Sequence, residues 1–114
     1  MQRFFQGFRY AWTGLALAWT KGINFKFAVV CAVLAGALGL YWRLPPLEFG
    51  LILLAISSVL AAETFNTALE ELCDKFQPTH DPHIAKIKDL SAAAVLLTSL
   101  GALAVGLFIF LPHL

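Results

Sequence analysis

Residues 90 to 111 run for 22 positions without a charged side chain. Two apolar stretches precede them. Phe27 to Trp42 is uncharged, and Leu47 to Ala62 is broken only by Glu48. A helix of about 20 apolar residues matches the roughly 30 Å hydrocarbon core of a bilayer. In that core every backbone N–H and C=O must be satisfied inside the protein, so such segments fold as helices rather than open strands. The expected fold class is an all-α membrane protein with helices over 25–42, 47–72 and 90–111. Composition agrees, because 60% of residues are hydrophobic and mean hydropathy is +0.78, well beyond an ordinary soluble domain. The 114 residues form one membrane domain, with no room for a soluble catalytic domain beside the spans. Net charge is only +1, so no nucleic-acid partner is implied.

The first 24 residues differ from the rest. Phe4, Phe5, Phe8, Trp12, Leu15 and Trp19 recur at helical spacing among Arg3, Arg9 and Lys21. This pattern predicts an amphipathic helix in the membrane interface, where Trp and Tyr settle. It has no short apolar core with a small-residue cleavage site, so a cleaved signal peptide is not expected. Pro45 and Pro46 predict a tight turn after Arg43. Ala32 with Gly36, and Ala35 with Gly39, give small residues four apart that suit close helix approach. Cys31 and Cys73 have no metal-ligand spacing and are expected to serve packing. Residues 73–89 are rich in charge and hold Pro78 and Pro82, which predicts a polar loop. Arg3, Arg9, Lys21, Lys26, Lys75, Lys86 and Lys88 fall on one side of the expected spans and Arg43 on the other. Seven basic residues against one place the N-terminus and the polar loop in the cytoplasm.

Glu63, Asn66, Thr67, Glu70 and Asp74 recur at intervals of three and four, so a helix gathers them on one face. Polar groups lined up at the end of a membrane segment are costly and mark function more often than chance. Glu63 lies 16 residues past Leu47, about 24 Å along a helix and close to the far interface. The sequence has no phosphate-binding glycine loop, no dinucleotide fingerprint and no zinc spacing. His80 and His83 sit three apart in the polar segment, where solvated histidines are commoner than a metal pair. What remains is carboxylates, an amide and lysines at a membrane surface. Magnesium takes one or two carboxylates together with substrate phosphates. Phosphoryl transfer needs that metal, cations on the phosphates and a base for the attacking hydroxyl. One carboxylate of the face can act as base while another, two turns away, holds the metal.

Two further runs carry a resemblance. The face reads Glu63-x-x-Asn66-Thr67-Ala68-x-Glu70 followed by Asp74. Downstream stands Ala85-Lys86-x-Lys88-Asp89-x-x-Ala92-Ala93-Ala94-Val95-Leu96. Upstream are Tyr10-Ala11-Trp12-x-Gly14-Leu15, Trp19 and Asn24-Phe25-Lys26, in the same order. Over nearly its whole length the chain resembles the small prokaryotic diacylglycerol kinase and undecaprenol kinase family. The Pro-x-x-Ala-Lys form of the polar segment is closer to the undecaprenol kinase branch. The resemblance implies a homotrimer in the bacterial cytoplasmic membrane that phosphorylates a membrane lipid alcohol with ATP and Mg2+. It implies that Glu63 is the general base and Glu70 the metal ligand, supported by Asn66 and Asp74. Arg3, Tyr10, Glu70, Asp74, His80, Lys88 and Asp89 would hold the nucleotide. Trp12, Trp19 and Glu63 would border the lipid.

The chain departs from the family in two places. The family carries a second metal-ligating glutamate two residues before the Asn-Phe pair, and that slot is Gly22 here. Asp81 stands in the slot of a family histidine. With Gly22 in the glutamate slot, either one metal suffices, or another acid such as Glu71 or Asp81 substitutes, or the chain is a weakened or non-enzymatic relative that binds nucleotide or lipid without turnover. A generic small membrane subunit would explain the hydrophobicity but neither the acidic face nor the Lys88-Asp89 pair.

Overall fold

The structure is a computed structural model that describes residues 1–76 and 81–114. Helix α1 spans Gln2–Lys21, α2 Ile23–Tyr41, α3 Pro46–Phe76 and α4 Pro82–Phe110, and a short 3-10 turn covers Leu111–His113. No strand occurs among the described residues. Helices α2, α3 and α4 are long and apolar enough to cross a membrane, as their sequences predict. Helix α3 has 31 residues and so extends about 46 Å, beyond the roughly 30 Å of hydrocarbon. One end must stand clear of the apolar layer, and that end carries the acidic face.

Helices α3 and α4 form the main packed pair, with α2 against α3. Leu44, Ile52 and Ile109 make a small buried cluster, flanked by Ala35, Phe49, Ile56, Val105 and Phe110. It lies toward the α2–α3 turn, far from the acidic face. The molecule is thin, 49 × 40 × 20 Å, and Phe27, Leu34, Leu54, Leu97 and Phe108 point outward. Outward apolar side chains carry no penalty in lipid, whose tails are as apolar as leucine.

Helix α1 touches the bundle at its C-terminal end. Ala18 is its buried residue, and the expected apolar face at Phe4, Phe5, Phe8, Trp12, Leu15 and Trp19 is exposed. The helix stops at Lys21, three residues short of the expected boundary, because Gly22 is extended at φ −104° and ψ 105°. Lys26 Nζ then lies 5.7 Å from the Trp19 ring centre, a cation–π contact across the join.

The α2–α3 turn falls where Pro45 and Pro46 predict it. Its closure comes from Arg43, which adopts the left-handed conformation at φ 52°. Arg43 N donates to Leu40 O at 3.2 Å and Leu44 N to Gly39 O at 3.0 Å. This is a Schellman cap, normally built on glycine. Of the small-residue pairs, Ala35 and Gly39 sit at the helix contact. A Cβ on Gly39 would come within 2.9 Å of the Phe49 ring, whereas one on Gly36 would meet nothing within 4 Å. Cys73 is packed inside, but Cys31 is exposed, so only one cysteine serves the core.

The polar loop expected over 73–89 is corrected. Helix α3 continues to Phe76 and α4 begins at Pro82, so most of that stretch is helical. Asp81 caps α4, accepting from His83 N at 2.7 Å and Ile84 N at 3.3 Å. Pro82 fits the first helical position, where no N–H is needed.

Candidate functional site

The repeat of three and four on α3 brings Glu63, Asn66, Thr67, Glu70 and Asp74 to one face at the polar end of the bundle. Glu63 is the deepest of them, 7% exposed. It stands at one end of an apolar groove of about 580 Å³ between α2, α3 and α4, opposite Leu111 and Leu114 at the other. Asn24, from the first turn of α2, lines the same end. Ala28, Ala32, Ala55 and Ala102 line the groove and give it width, because small side chains leave space between close helices. A carboxylate therefore meets a long apolar channel at its polar end. That arrangement suits an apolar molecule with a polar head.

One turn further along, Asn66 Nδ2 donates to Glu70 Oε1 at 3.2 Å. From α4, Ser91 Oγ donates to Asn66 Oδ1 at 2.7 Å. Ser91 is 8% exposed, and with Glu63 it makes up the buried polar side chains among the described residues. Interhelical hydrogen bonds in membranes average about 0.6 kcal/mol, too little to hold α3 and α4 together. Their effect here is to fix direction. Lys88 Nζ donates to Asp74 Oδ1 at 2.7 Å, joining α4 to the last turn of the face. Lys21 Nζ donates to Glu71 Oε1 at 2.6 Å, joining α1 to α3. Both ion pairs are well exposed, so water and salt screen them strongly. They orient charges at a surface more than they stabilise the bundle.

The other expected site residues are spread out. Arg3 and Tyr10 are exposed on α1, and no hydrogen bond or ion pair among the described residues joins them to α3 or α4. Arg3 lies 18 residues from Lys21, about 27 Å along the helix. Trp12 is exposed beyond the join, and Trp19 sits beside it under Lys26. Asp89 is exposed next to Lys88. His80 lies outside the described residues.

The comparisons fit this geometry. Residues 9–110 match the family model described as prokaryotic diacylglycerol kinase. The chain belongs to that family. The undecaprenol kinase of Bacillus subtilis strain 168 is 34% identical over 116 residues, covering 100% of this chain and 93% of the relative. The diacylglycerol kinase of Synechocystis is 35% identical over 111 residues, covering 94% of this chain and 62% of the relative. The diacylglycerol kinase of Escherichia coli K12 is 26% identical over 88 residues, covering 77% and 72%.

For a member of the prokaryotic diacylglycerol kinase family, the metal donors are few. Among the described residues no three His, Cys, Asp or Glu side chains converge into a cage. Glu71 and Asp74 are engaged by lysines, and Glu70 is the exposed carboxylate of the face whose partner is an amide. The Glu70 carboxylate does fit magnesium brought in on a nucleotide, since that ion keeps phosphates and waters as its other ligands. The Gly22 slot faces the same region. A Cβ there would lie 3.6 Å from Thr67 Oγ1, 3.0 Å from Ala18 O and 3.2 Å from Phe25 Cβ.

Nothing in the sequence marks Ser91 or Asn24 as part of the site. Ser91 opens a run of small residues and reads there as a packing position. Its distance from Asn66 is a tertiary fact, 25 residues away in the chain. Asn24 was visible only as part of the Asn-Phe-Lys run.

Proposed function

We propose that this chain is an ATP- and magnesium-dependent kinase for a membrane lipid alcohol, undecaprenol or diacylglycerol. The observation that carries the reading is Glu63, a buried carboxylate at the polar end of an apolar groove, on the same helix face as Asn66 and Glu70. The groove accepts the lipid, and its hydroxyl lies at the polar end beside Glu63. The Glu63 carboxylate takes the hydroxyl proton as the lipid oxygen attacks the γ-phosphorus of ATP. The bond from that phosphorus to the β–γ bridging oxygen breaks, and ADP leaves. Glu70 would hold magnesium, which neutralises charge on the phosphates when bound. Lys88, fixed by Asp74, presents a cation on the nucleotide side. Asp89, Arg3 and Tyr10 complete that side, and the family resemblance alone adds His80.

Arg3 lies about 27 Å along α1 from Lys21, where that helix meets α3. That supports a homotrimer in which α1 of one copy serves the site of another. The excess of basic residues at the polar end supports a cytoplasmic site in a bacterial inner membrane, with the N-terminus inside. The test is transfer of labelled phosphate from ATP to undecaprenol and to diacylglycerol in mixed micelles. Labelled lipid phosphate that depends on magnesium is expected. The relative rates name the substrate, which the 34% and 35% identities to an undecaprenol kinase and a diacylglycerol kinase leave open. Nucleotide binding with no transfer to either lipid would favour the non-enzymatic relative.

A further inference from the structure

Hydroxyls on these helices mostly bond to their own backbone. Thr64 donates to Leu60 O, Thr67 to Glu63 O and Thr98 to Ala94 O, each one turn back. That is the usual outcome for serine and threonine inside a helix. Ser91 instead donates across to α3, at 2.7 Å from Asn66 Oδ1. The same amide donates through Nδ2 to Glu70 Oε1 at 3.2 Å.

The chemistry of these groups gives the chain one direction. A carboxylate only accepts, so the amide must turn its NH2 toward Glu70. Its oxygen then faces Ser91, and only a donor can meet it there. A hydroxyl supplies that donor. Without it, the Asn66 side chain is held only at its NH2 end and can swing off its rotamer, and the Glu70 carboxylate swings with it. We propose that Ser91 is a positioning residue for the metal ligand: through Asn66 it fixes the orientation of the Glu70 carboxylate. This rests on the kinase reading for what Glu70 binds. The orientation itself follows from the hydrogen bonds.

The arrangement matters more in this chain because Gly22 supplies no second carboxylate. With no acid at position 22, the direction of the Glu70 carboxylate bears more on how well a nucleotide-borne cation is held. Groups that orient a metal ligand typically change metal affinity or activity about 10- to 100-fold when removed. Ser91 acts through one intermediate side chain, so the effect should fall at or below that range.

The experiment uses the full chain in detergent with Mn2+ as probe and a non-hydrolysable ATP analogue, read by electron paramagnetic resonance. Ser91→Ala, Ser91→Cys and Ser91→Thr are compared with wild type. The expected result is a Mn2+ dissociation constant raised about three- to tenfold in Ser91→Ala. Ser91→Cys, a weak donor of similar shape, should fall between, and Ser91→Thr should restore wild-type binding. In the transfer assay, the magnesium requirement should shift in the same order while the KM for lipid stays fixed. Three results overturn the proposal: unchanged Mn2+ binding in Ser91→Ala, no Mn2+ binding by the wild type, or equal losses in all variants that follow their melting temperatures. A graded Mn2+ response without any phosphate transfer would leave the Ser91 role standing and remove the kinase reading. Transfer with unchanged Mn2+ binding would do the reverse.

Discussion

Position 22 shows how much one side chain can decide. Gly22 adopts an extended conformation that any residue can take, so no left-handed angle demands glycine there. The constraint is space. An added Cβ meets Ala18 O at 3.0 Å and Phe25 Cβ at 3.2 Å, so the join must give by a few tenths of an ångström. Beyond those contacts the side chain would run past Thr67, which lies one turn from both Glu63 and Glu70 on α3. A glutamate at 22 would therefore start beside the acidic face. Gly22→Glu should lower the magnesium concentration needed for half-maximal transfer, with a slight fall in melting temperature. Titrating magnesium against wild type and variant side by side checks this. An unchanged magnesium response in a normally folded Gly22→Glu would mean that the missing acid does not limit this protein.

At the scale of elements, the α2–α3 turn carries stored strain. Arg43 holds a left-handed angle that costs an L-residue about 1–2 kcal/mol. Its two cap hydrogen bonds hold it there. Arg43→Gly keeps both bonds and removes the strain, so it should stabilise the protein by about 1 kcal/mol after glycine's larger unfolded-state entropy is counted. Thermal unfolding in detergent reads the change, and a lower melting temperature would contradict it. This strain was invisible in the sequence, where Pro45 and Pro46 announce a turn but not its dihedral angles. The membrane helices were legible because uncharged runs of that length have one stable form in lipid. The acidic face was legible because its spacing fits a helix. Over 73–89 charge density suggests a loop where the structure is mostly helical. Lys, Glu and Asp are compatible with helix, and Asp81 with Pro82 is a helix start hidden inside that polar run. The Ser91–Asn66 bond was illegible because nothing local marks a contact 25 residues apart.

The whole molecule is a thin layer of three membrane helices with a surface helix attached at one end. Its buried apolar cluster lies near the α2–α3 turn, while Glu63 is buried at the other end of the apolar groove. Stability and chemistry are thus separated along the bundle. A change at Glu63 should leave packing near Leu44, Ile52 and Ile109 untouched. The most direct test is phosphate transfer to the lipid alcohol by wild type and Glu63→Gln at matched folding and oligomeric state. Glutamine keeps the shape of the side chain but cannot accept the hydroxyl proton. Transfer should fall about 10²- to 10⁴-fold, the usual contribution of a general base, with an unchanged melting temperature. A Glu63→Gln variant that transfers phosphate at the wild-type rate would contradict the account.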